Sequence, residues 1–502
     1  MSKFTPSIQQ AALFAWIKTG SGSCVLEAVA GSGKTTTLVE ALSLMSGKIF
    51  FGAFNKKIAE EIAKRVGPLS TAKISTMHAA GFAAWRNAAS TVRVDNDKCK
   101  NIFRDLTFRD MQYSRLETQV LSLVSYAKQA GVGFLKSIDD DFAWKELIQH
   151  FDVETYNEQA DFDSTDDIIM LSRKVLRTST EIDTRVIDFD DMIYAPLFHN
   201  VRFPKYDWVL LDEAQDTNAS RRELAKRLLN QKGGRLIAVG DRHQAIYGFT
   251  GADADALDLI AAEFNAILLP LTVTFRCPKS VVTYAQQWVS HIQAHDSSPN
   301  GVVKQATADT TVASLAKAGD AILCRFNAPL VKHVYAFIAA GIPARIEGKE
   351  IGQGLKALAK RWKSKTLSAL LDKLDNYAER EIQRLKDAEQ NARASALADK
   401  VKCLQVIIAR VQQIDNKTKT PVERVCQEID NIFNVDGDDV VILSSIHKSK
   451  GREWKTVIWL QTGPSPYAKQ NWEIEQERNL CYVAATRSQE TLILLEHVKD
   501  GK

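Results

Sequence analysis

Three short segments of this sequence carry residue types that can act on a polyphosphate. The first, Ala28-Val29-Ala30-Gly31-Ser32-Gly33-Lys34-Thr35-Thr36, follows an apolar run and precedes helix-like residues from Thr36 to Met45. Glycines at 31 and 33 let the backbone N–H groups of the Ala30 to Thr36 loop close around phosphate oxygens. Lys34 can reach the β- and γ-phosphates, and the Thr35 hydroxyl can hold Mg²⁺. Ala28 stands where the general pattern has glycine. The second segment, Val209-Leu210-Leu211-Asp212-Glu213-Ala214-Gln215-Asp216, ends an apolar run on two carboxylates. Asp212 is assigned to the Mg²⁺ shell and Glu213 to activating the attacking water; a lone Asp-Glu pair is more often a solvated turn, but here it has a phosphate loop to serve. In the third, Gly240-Asp241-Arg242-His243-Gln244, the Gln244 amide can sense a γ-phosphate and relay its state.

These groups need rigid elements to hold them. Short apolar runs, each closed by a polar or Gly-bearing turn, recur at Cys24–Ala28, Ile49–Ala53, Val209–Leu211 and Leu236–Val239, the rhythm of buried parallel strands. A second set follows at Ala321–Cys324, Val440–Ser444, Thr456–Leu460 and Thr491–Leu495. Two α/β sheets are therefore expected. Between them lie two stretches that read as helical. The first, from about Ala84 to Arg185, is rich in charge and poor in strand runs. In the second, Leu367, Leu370, Leu371, Leu374 and Tyr377 make one helical stripe, and Leu397, Val401, Leu404, Ile408 and Val411 another. Most charges on the opposite faces read as solvated surface and are assigned no chemistry. The expected organisation is residues 1–84 with 186–270 as a first sheet domain, 85–185 as a helical insertion, 271–354 with 434–502 as a second sheet domain, and 355–433 as a short helical insertion.

Composition sets outer limits. The chain has 502 residues, 45% hydrophobic and 25% charged, enough for several packed domains of ordinary water-soluble type. Seven cysteines are scattered, with no C-x-x-C pair, and read as reduced thiols. The first residues, Met1 to Pro6, lack a secretion signal, and no apolar stretch is long enough to cross a membrane. A cytoplasmic location is expected, on the nucleoid in a bacterium or in the host cytoplasm for a phage protein. A net charge of +4 is too mild to identify a nucleic-acid partner.

Taken in order, the motifs resemble those of the UvrD/Rep branch of superfamily 1 helicases. The likeness runs through the phosphate loop, Ala53-Phe54-Asn55-Lys56-Lys57, Ser75-Thr76-Met77-His78, Ile187-Asp188-Phe189-Asp190-Asp191 and Asp212 to Asn218. It continues through Val239 to Phe249, Thr274-Phe275-Arg276, Ser445 to Trp454 and Tyr482-Val483-Ala484-Ala485-Thr486-Arg487. The resemblance implies two RecA-like domains with the nucleotide at their interface, ATP and Mg²⁺ as cofactors, and Arg276 and Arg487 as arginine fingers. It places Glu453 near the nucleotide sugar and Gln10, or its neighbour Gln9, on adenine.

The same resemblance implies a single-stranded DNA track and single-strand/duplex junctions as the partner, with single-strand-binding, repair or replication proteins as further candidates. Phe54, Tyr247 and Phe249 fall at base-stacking positions, and Asn55, Lys56, Thr76, His78, Arg325, Asn327 and His447 at backbone contacts. His78 and His447 have a structural reading as well. Phe249 sits where tryptophan is common, and Thr250-Gly251-Ala252 where Arg-Gly-Ala is usual. The segment between Gly352 and Val435 is shorter than the accessory domain of larger relatives, and no nuclease-like carboxylate cluster is visible. Two activities stay open: an ATP-dependent DNA helicase moving 3′ to 5′, or a single-strand translocase that strips bound proteins with little unwinding.

Overall fold

Apolar runs too uniform to leave one face in water become the strands of two parallel sheets. The computed structural model describes residues 4–495 apart from 68–70, 90, 111–112, 152, 154, 158–161, 182–184, 247–254, 307–311, 341, 388–390, 414–418, 434–438 and 466–470. The chain divides into two units, Met1–Val29 with Gly33–Leu271, and Ala30–Ser32 with Thr272–Lys502.

The sheet of the first unit contains β1 (Cys24–Ala28), β2 (Ile49–Ala53), β3 (Lys73–Thr76), β4 (Trp208–Leu211), β5 (Arg235–Gly240) and β6 (Ile267–Leu271) in the order β6-β1-β5-β4-β2-β3. Every pairing is parallel, with Cys24 opposite Ile267 and Ile237, and Trp208 opposite Ile49 and Arg235. Cys24, Leu26, Phe51, Leu210 and Ile237 pack on one face, and Val25, Phe50, Val209, Leu211 and Leu236 on the other. Both faces are buried, as a parallel sheet requires. The carboxyl ends of β1, β2, β4 and β5 run directly into the phosphate loop, Phe54-Asn55, Asp212-Glu213 and Asp241, the end at which parallel sheets place their ligands.

The helices Lys98–Thr107, Glu117–Ala130, Asp141–His150 and Thr165–Glu181 interrupt this unit and gather around Phe103, Leu123, Val124, Trp144, Ile168 and Val175. Not all their charges are solvated: Lys98 and Lys128 are buried, Lys128 at 1% exposure. Lys128 Nζ lies 2.5 Å from Asp188 and 2.7 Å from Asp191, and Lys98 Nζ 2.7 Å from Asp191. Although burial opposes its charge, Asp191 and Asp188 hold Lys128 well above the ordinary lysine range.

The second unit has its own parallel sheet of β7 (Val302–Gln305), β8 (Ala321–Cys324), β9 (Ala344–Ile346), β10 (Val441–Ser445), β11 (Trp454–Leu460) and β12 (Ser488–Leu495), ordered β7-β12-β11-β8-β10-β9. Helices Lys349–Lys360, Leu367–Asp387, Asn391–Gln413 and Pro421–Phe433 share a continuous core with one face of this sheet. Both expected stripes face that core: Leu370 and Leu374 are buried with Leu367, Leu371 and Tyr377 against them, and Val401, Leu404, Ile408 and Val411 are buried with Leu397 against them. No helix among the described residues is long and apolar enough to cross a membrane, and the seven cysteines are unpaired.

Candidate nucleotide and nucleic-acid sites

The phosphate loop depends on two glycines in the left-handed region, Gly31 at φ 70° and Gly33 at φ 80°. Gly33 is the N-cap of the helix Lys34–Leu42, so the helix begins two residues before the expected Thr36 and its first N–H groups face the loop. Lys34 is 9% exposed. The Ser32 hydroxyl is buried without a hydrogen-bond partner, as a group meant for a phosphate oxygen would be. Ala30 to Ser32 group with the second unit, where the Ala30 N–H donates to the Tyr482 hydroxyl (2.8 Å) and the Gly31 carbonyl accepts from Phe275 N–H (2.8 Å). Thr36 accepts from Arg65 (3.0 Å).

The Thr35 hydroxyl donates to Asp212 Oδ2 at 2.8 Å. Burial, followed by the neighbouring Glu213 charge, pushes the Asp212 carboxyl up to about 6, against the pull of Thr35 and Lys34. A hydroxyl and a carboxylate with surplus negative charge beside them are a donor set that suits Mg²⁺, which takes one or two protein oxygens and completes its shell with phosphate and water. Among the described residues no cluster of three or more His, Cys, Asp or Glu could hold a metal ion.

Glu213 occupies a left-handed backbone position, φ 52°. Its carboxylate accepts from Gln215 Nε2 at 2.5 Å, Gln215 Oε1 accepts from the Asp241 N–H at 3.0 Å, and Asp241 Oδ2 accepts from Gln244 Nε2 at 2.7 Å. A buried polar chain thus joins the assigned water activator to the assigned sensor. Gln215 and Asp241 each lie inside a motif, but only the folded hydrogen-bond chain shows what they do. Gln10, at 3% exposure, accepts from the Ser7 N–H (2.9 Å) and donates to Thr37 Oγ1 (2.8 Å), which bolts the first helix to the helix of the phosphate loop; Gln9 is half-buried.

Within the second unit, Arg276 is ion-paired to Glu453, which also accepts from Gln489 (2.8 Å). Arg487, 1% exposed, donates to the Val483 carbonyl (3.0 Å), the Arg452 carbonyl (3.2 Å) and Thr486 Oγ1 (3.2 Å). Arg325 is ion-paired to Glu477 (2.7 Å). Asp399, on the helix Asn391–Gln413, accepts from the Asn327 N–H (2.9 Å), Asn327 Nδ2 (3.1 Å) and the Ala328 N–H (2.7 Å), capping the helix Asn327–Ala339. Arg325, Phe326, Asn327, Asp399, Lys400 and His447 line a cavity of about 340 Å³. Burial, then the charges of Arg325, Lys450 and Lys448, brings His447 down to about 3, so its ring is neutral at physiological pH.

In the first unit, Phe54 is 40% exposed and Lys56 is exposed, with only a loose 3.8 Å pairing to Glu60. Asn55 Oδ1 accepts from the Ile58 N–H (2.9 Å) and Thr76 Oγ1 from the Ala79 N–H (3.1 Å). Each caps a helix and keeps a donor, the Asn55 amide and the Thr76 hydroxyl proton, to offer a phosphate. His78 stacks on Phe189, ring centroids 4.2 Å apart at 24°, and Phe189 is 53% exposed. The two come together because the helices Met77–Ala88 and Asp191–Phe198 touch at Gly81, where a Cβ would lie 2.3 Å from the Met192 carbonyl. Burial, then the charge of Arg221, lowers His78 to about 3. Tyr247 and Phe249 lie outside the described residues.

A Gly-rich loop between a parallel strand and a helix, hydrogen-bonded to a strand-end aspartate, defines a P-loop nucleotide-binding protein. The model of the UvrD/REP helicase N-terminal domain matches residues 9–265, and that of the UvrD-like helicase C-terminal domain residues 441–495. The chain belongs to the UvrD/Rep helicase family. It is 26% identical to F-box DNA helicase protein 1 of Schizosaccharomyces pombe over 93% of this chain and 55% of that protein. It is 25% identical to the probable DNA helicase II homolog of Mycoplasma pneumoniae over 56% of this chain and 42% of the relative. With the ATP-dependent DNA helicase Rep of Escherichia coli it shares 28% identity over 53% of this chain and 40% of the relative. The chain thus spans about half the length of these curated relatives.

Proposed function

We propose that this chain is an ATP-dependent DNA helicase motor that moves along single-stranded DNA in the 3′-to-5′ direction. The observation that carries the reading is the Thr35–Asp212 hydrogen bond, which joins the phosphate loop to the acidic strand end. Lys34 and the N-terminus of its helix would hold the β- and γ-phosphates, with Gln10 or Gln9 on adenine and Glu453 near the sugar. Thr35 and Asp212 would hold Mg²⁺, which when bound supplies charge neutralisation on the phosphates. Glu213 orients the attacking water and accepts its proton, while Gln215 and Asp241 connect that carboxylate to Gln244.

Arg276 and Arg487 are the proposed fingers. Arg276 would exchange the Glu453 carboxylate for a phosphoryl oxygen, an exchange of one charge-assisted pair for another that costs little net energy. On the track side, Phe54, Phe189, Tyr247 and Phe249 offer ring faces to bases. Asn55, Lys56, Thr76, Arg325, Asn327 and His447 offer backbone contacts, and His78 supports Phe189. The sheet domains 1–84 with 186–270 and 271–354 with 434–502, and the helical insertions 85–185 and 355–433, are the corresponding proposed divisions.

The test is ATPase activity with single-stranded DNA, duplex DNA and RNA, followed by strand displacement on duplexes tailed at either end. Stimulation by single-stranded DNA with release from a 3′-tailed duplex supports the proposal. ATP consumption without strand release replaces it with a translocase that strips bound proteins.

A further inference from the structure

Arg221 lies at the third position of the helix Ala219–Leu228, which is capped by Asn218 Oδ1 accepting its N–H (3.0 Å). The side chain is half-buried and turns back over the helix start, where Nη1 donates to the Asp216 carbonyl at 2.8 Å. No carboxylate among the described residues comes within ion-pair distance of it. Its situation differs from that of Arg276, Arg325 and Arg452, each paired to a glutamate. Burial lowers its pKa, while Asp216 and Asp190 act on it in the opposite direction through space. A guanidinium stays charged at neutral pH regardless. It is a half-buried cation with one backbone acceptor and at least two N–H-bearing nitrogens unspent.

Two sets of neighbours give that position meaning. On one side is the His78–Phe189 pair: the helix Ala219–Leu228 packs against the helices Met77–Ala88, whose second residue is His78, and Asp191–Phe198, which follows Phe189 closely. The imidazole, its pKa lowered by burial and then by the Arg221 charge, is neutral and cannot hold a phosphate by charge, whereas the Arg221 guanidinium can. On the other side is the turn Ala214–Asp216, which follows Asp212 and Glu213 directly. We propose that Arg221 binds a backbone phosphodiester of the single strand beside Phe189 and, by its bond to the Asp216 carbonyl, ties that phosphate to the turn that follows Asp212 and Glu213. The inference rests on the reading of the chain as a single-strand motor.

Binding of a fluorescent oligo-dT to the full chain, followed by anisotropy across a series of about 50 to 400 mM KCl, tests the inference. Arg221→Gln keeps a donor for the Asp216 carbonyl and removes the charge; Arg221→Lys keeps a charge. The expected result for Arg221→Gln is affinity lower by about tenfold, the scale of one charge-assisted bond. The slope of log affinity on log salt becomes shallower by about 0.7, the value of one single-strand phosphate contact. Arg221→Lys retains the wild-type slope.

A glutamine variant that melts like wild type and binds with the same affinity and slope overturns the assignment. So does one whose affinity falls with its melting temperature while the slope stays fixed, since that is a purely structural role. Should Arg221→Gln fail to fold, Arg221→Met takes its place with the same readings: a slope shallower by about 0.7 supports the assignment, and a wild-type slope with wild-type melting overturns it. Wild-type protein that does not bind oligo-dT overturns the motor reading itself, a distinct outcome.

Discussion

The Thr35 hydroxyl hydrogen-bonds to Asp212 Oδ2 at 2.8 Å, and Asp212 is 6% exposed. On the proposed function, this carboxylate would hold a divalent cation together with the Thr35 hydroxyl. Asp212→Asn keeps the shape and removes the charge that would hold the metal. ATP turnover should fall by a factor of about 10² or more, since a charge-stabilising group in a phosphoryl-transfer site is worth that much. Steady-state ATPase assays with and without Mg²⁺ measure it; turnover within threefold of wild type, on the order of a peripheral effect, would remove Asp212 from the metal shell.

Arg276 is held by Glu453 rather than by solvent. Arg276→Ala should leave nucleotide affinity within a few-fold and cut turnover by about 10³, the lower end of the range for a finger arginine. Single-turnover hydrolysis and equilibrium nucleotide binding separate the two quantities. A loss confined to binding would make Arg276 a ground-state contact.

The buried ions of the helical insertion give a stability prediction. Lys128→Met would leave Asp188 and Asp191 short of a cation in the interior, Asp191 keeping the Lys98 ion pair and the Asp188 N–H. Breaking such a network from one side costs about 3–5 kcal/mol. Urea denaturation should show the first unit unfolding at markedly lower denaturant. A shift under about 1 kcal/mol would mean that water reaches the network.

Much of this architecture is legible in the sequence, and what is not has a physical pattern. The eight interior strands of the two sheets coincide with apolar runs readable from composition alone. The four strands that give no such signal, Lys73–Thr76, Ile267–Leu271, Val302–Gln305 and Ala344–Ile346, are the four edges. An edge strand is partly solvated, and Ile267–Leu271, with Pro270 inside it and Leu268 54% exposed, lacks a uniform apolar run. At the candidate nucleotide site, Thr35 and Asp212 stand in contiguous motifs that can be read from the sequence, and the fold brings the two within a hydrogen bond. The Lys128–Asp191 pair cannot be read in that way, since 63 positions separate lysine from aspartate in sequence and a lysine on a charged helix looks like surface. Arg221 and Asp399 were hidden for the same reason: only the fold shows what each faces.

Asp399 reaches from the helical insertion to cap the helix Asn327–Ala339 with three hydrogen bonds. Asp399→Ala should destabilise the second unit by about 1–2 kcal/mol, the cost of an N-terminal cap with a favourable helix-end charge. Asp399→Asn keeps an acceptor and should recover part of it. Chemical denaturation of the three proteins side by side is the measurement, and equal stability of alanine variant and wild type would show the cap to be dispensable.

His78 gives a prediction whose sign is fixed by where its proton goes. In the folded chain burial, then Arg221, holds the imidazole down to about 3, while in the unfolded chain it titrates near the ordinary value of about 6.5. Its folded value is depressed, so the unfolded state takes up protons first as the pH falls. Stability is fully present above about pH 6.5 and is lost progressively as the pH falls from there toward 3. At about pH 5.5 the unfolded imidazole is mostly protonated and the folded one is not, a loss on the order of 1.4 kcal/mol from this residue. His78→Gln cannot titrate and should unfold with a smaller difference in denaturation midpoint between about pH 7.5 and 5.5 than wild type shows. Because Phe189 rests on this ring, the same variant should also weaken single-strand binding at neutral pH. An unchanged pH dependence would place the His78 imidazole in water rather than against Phe189.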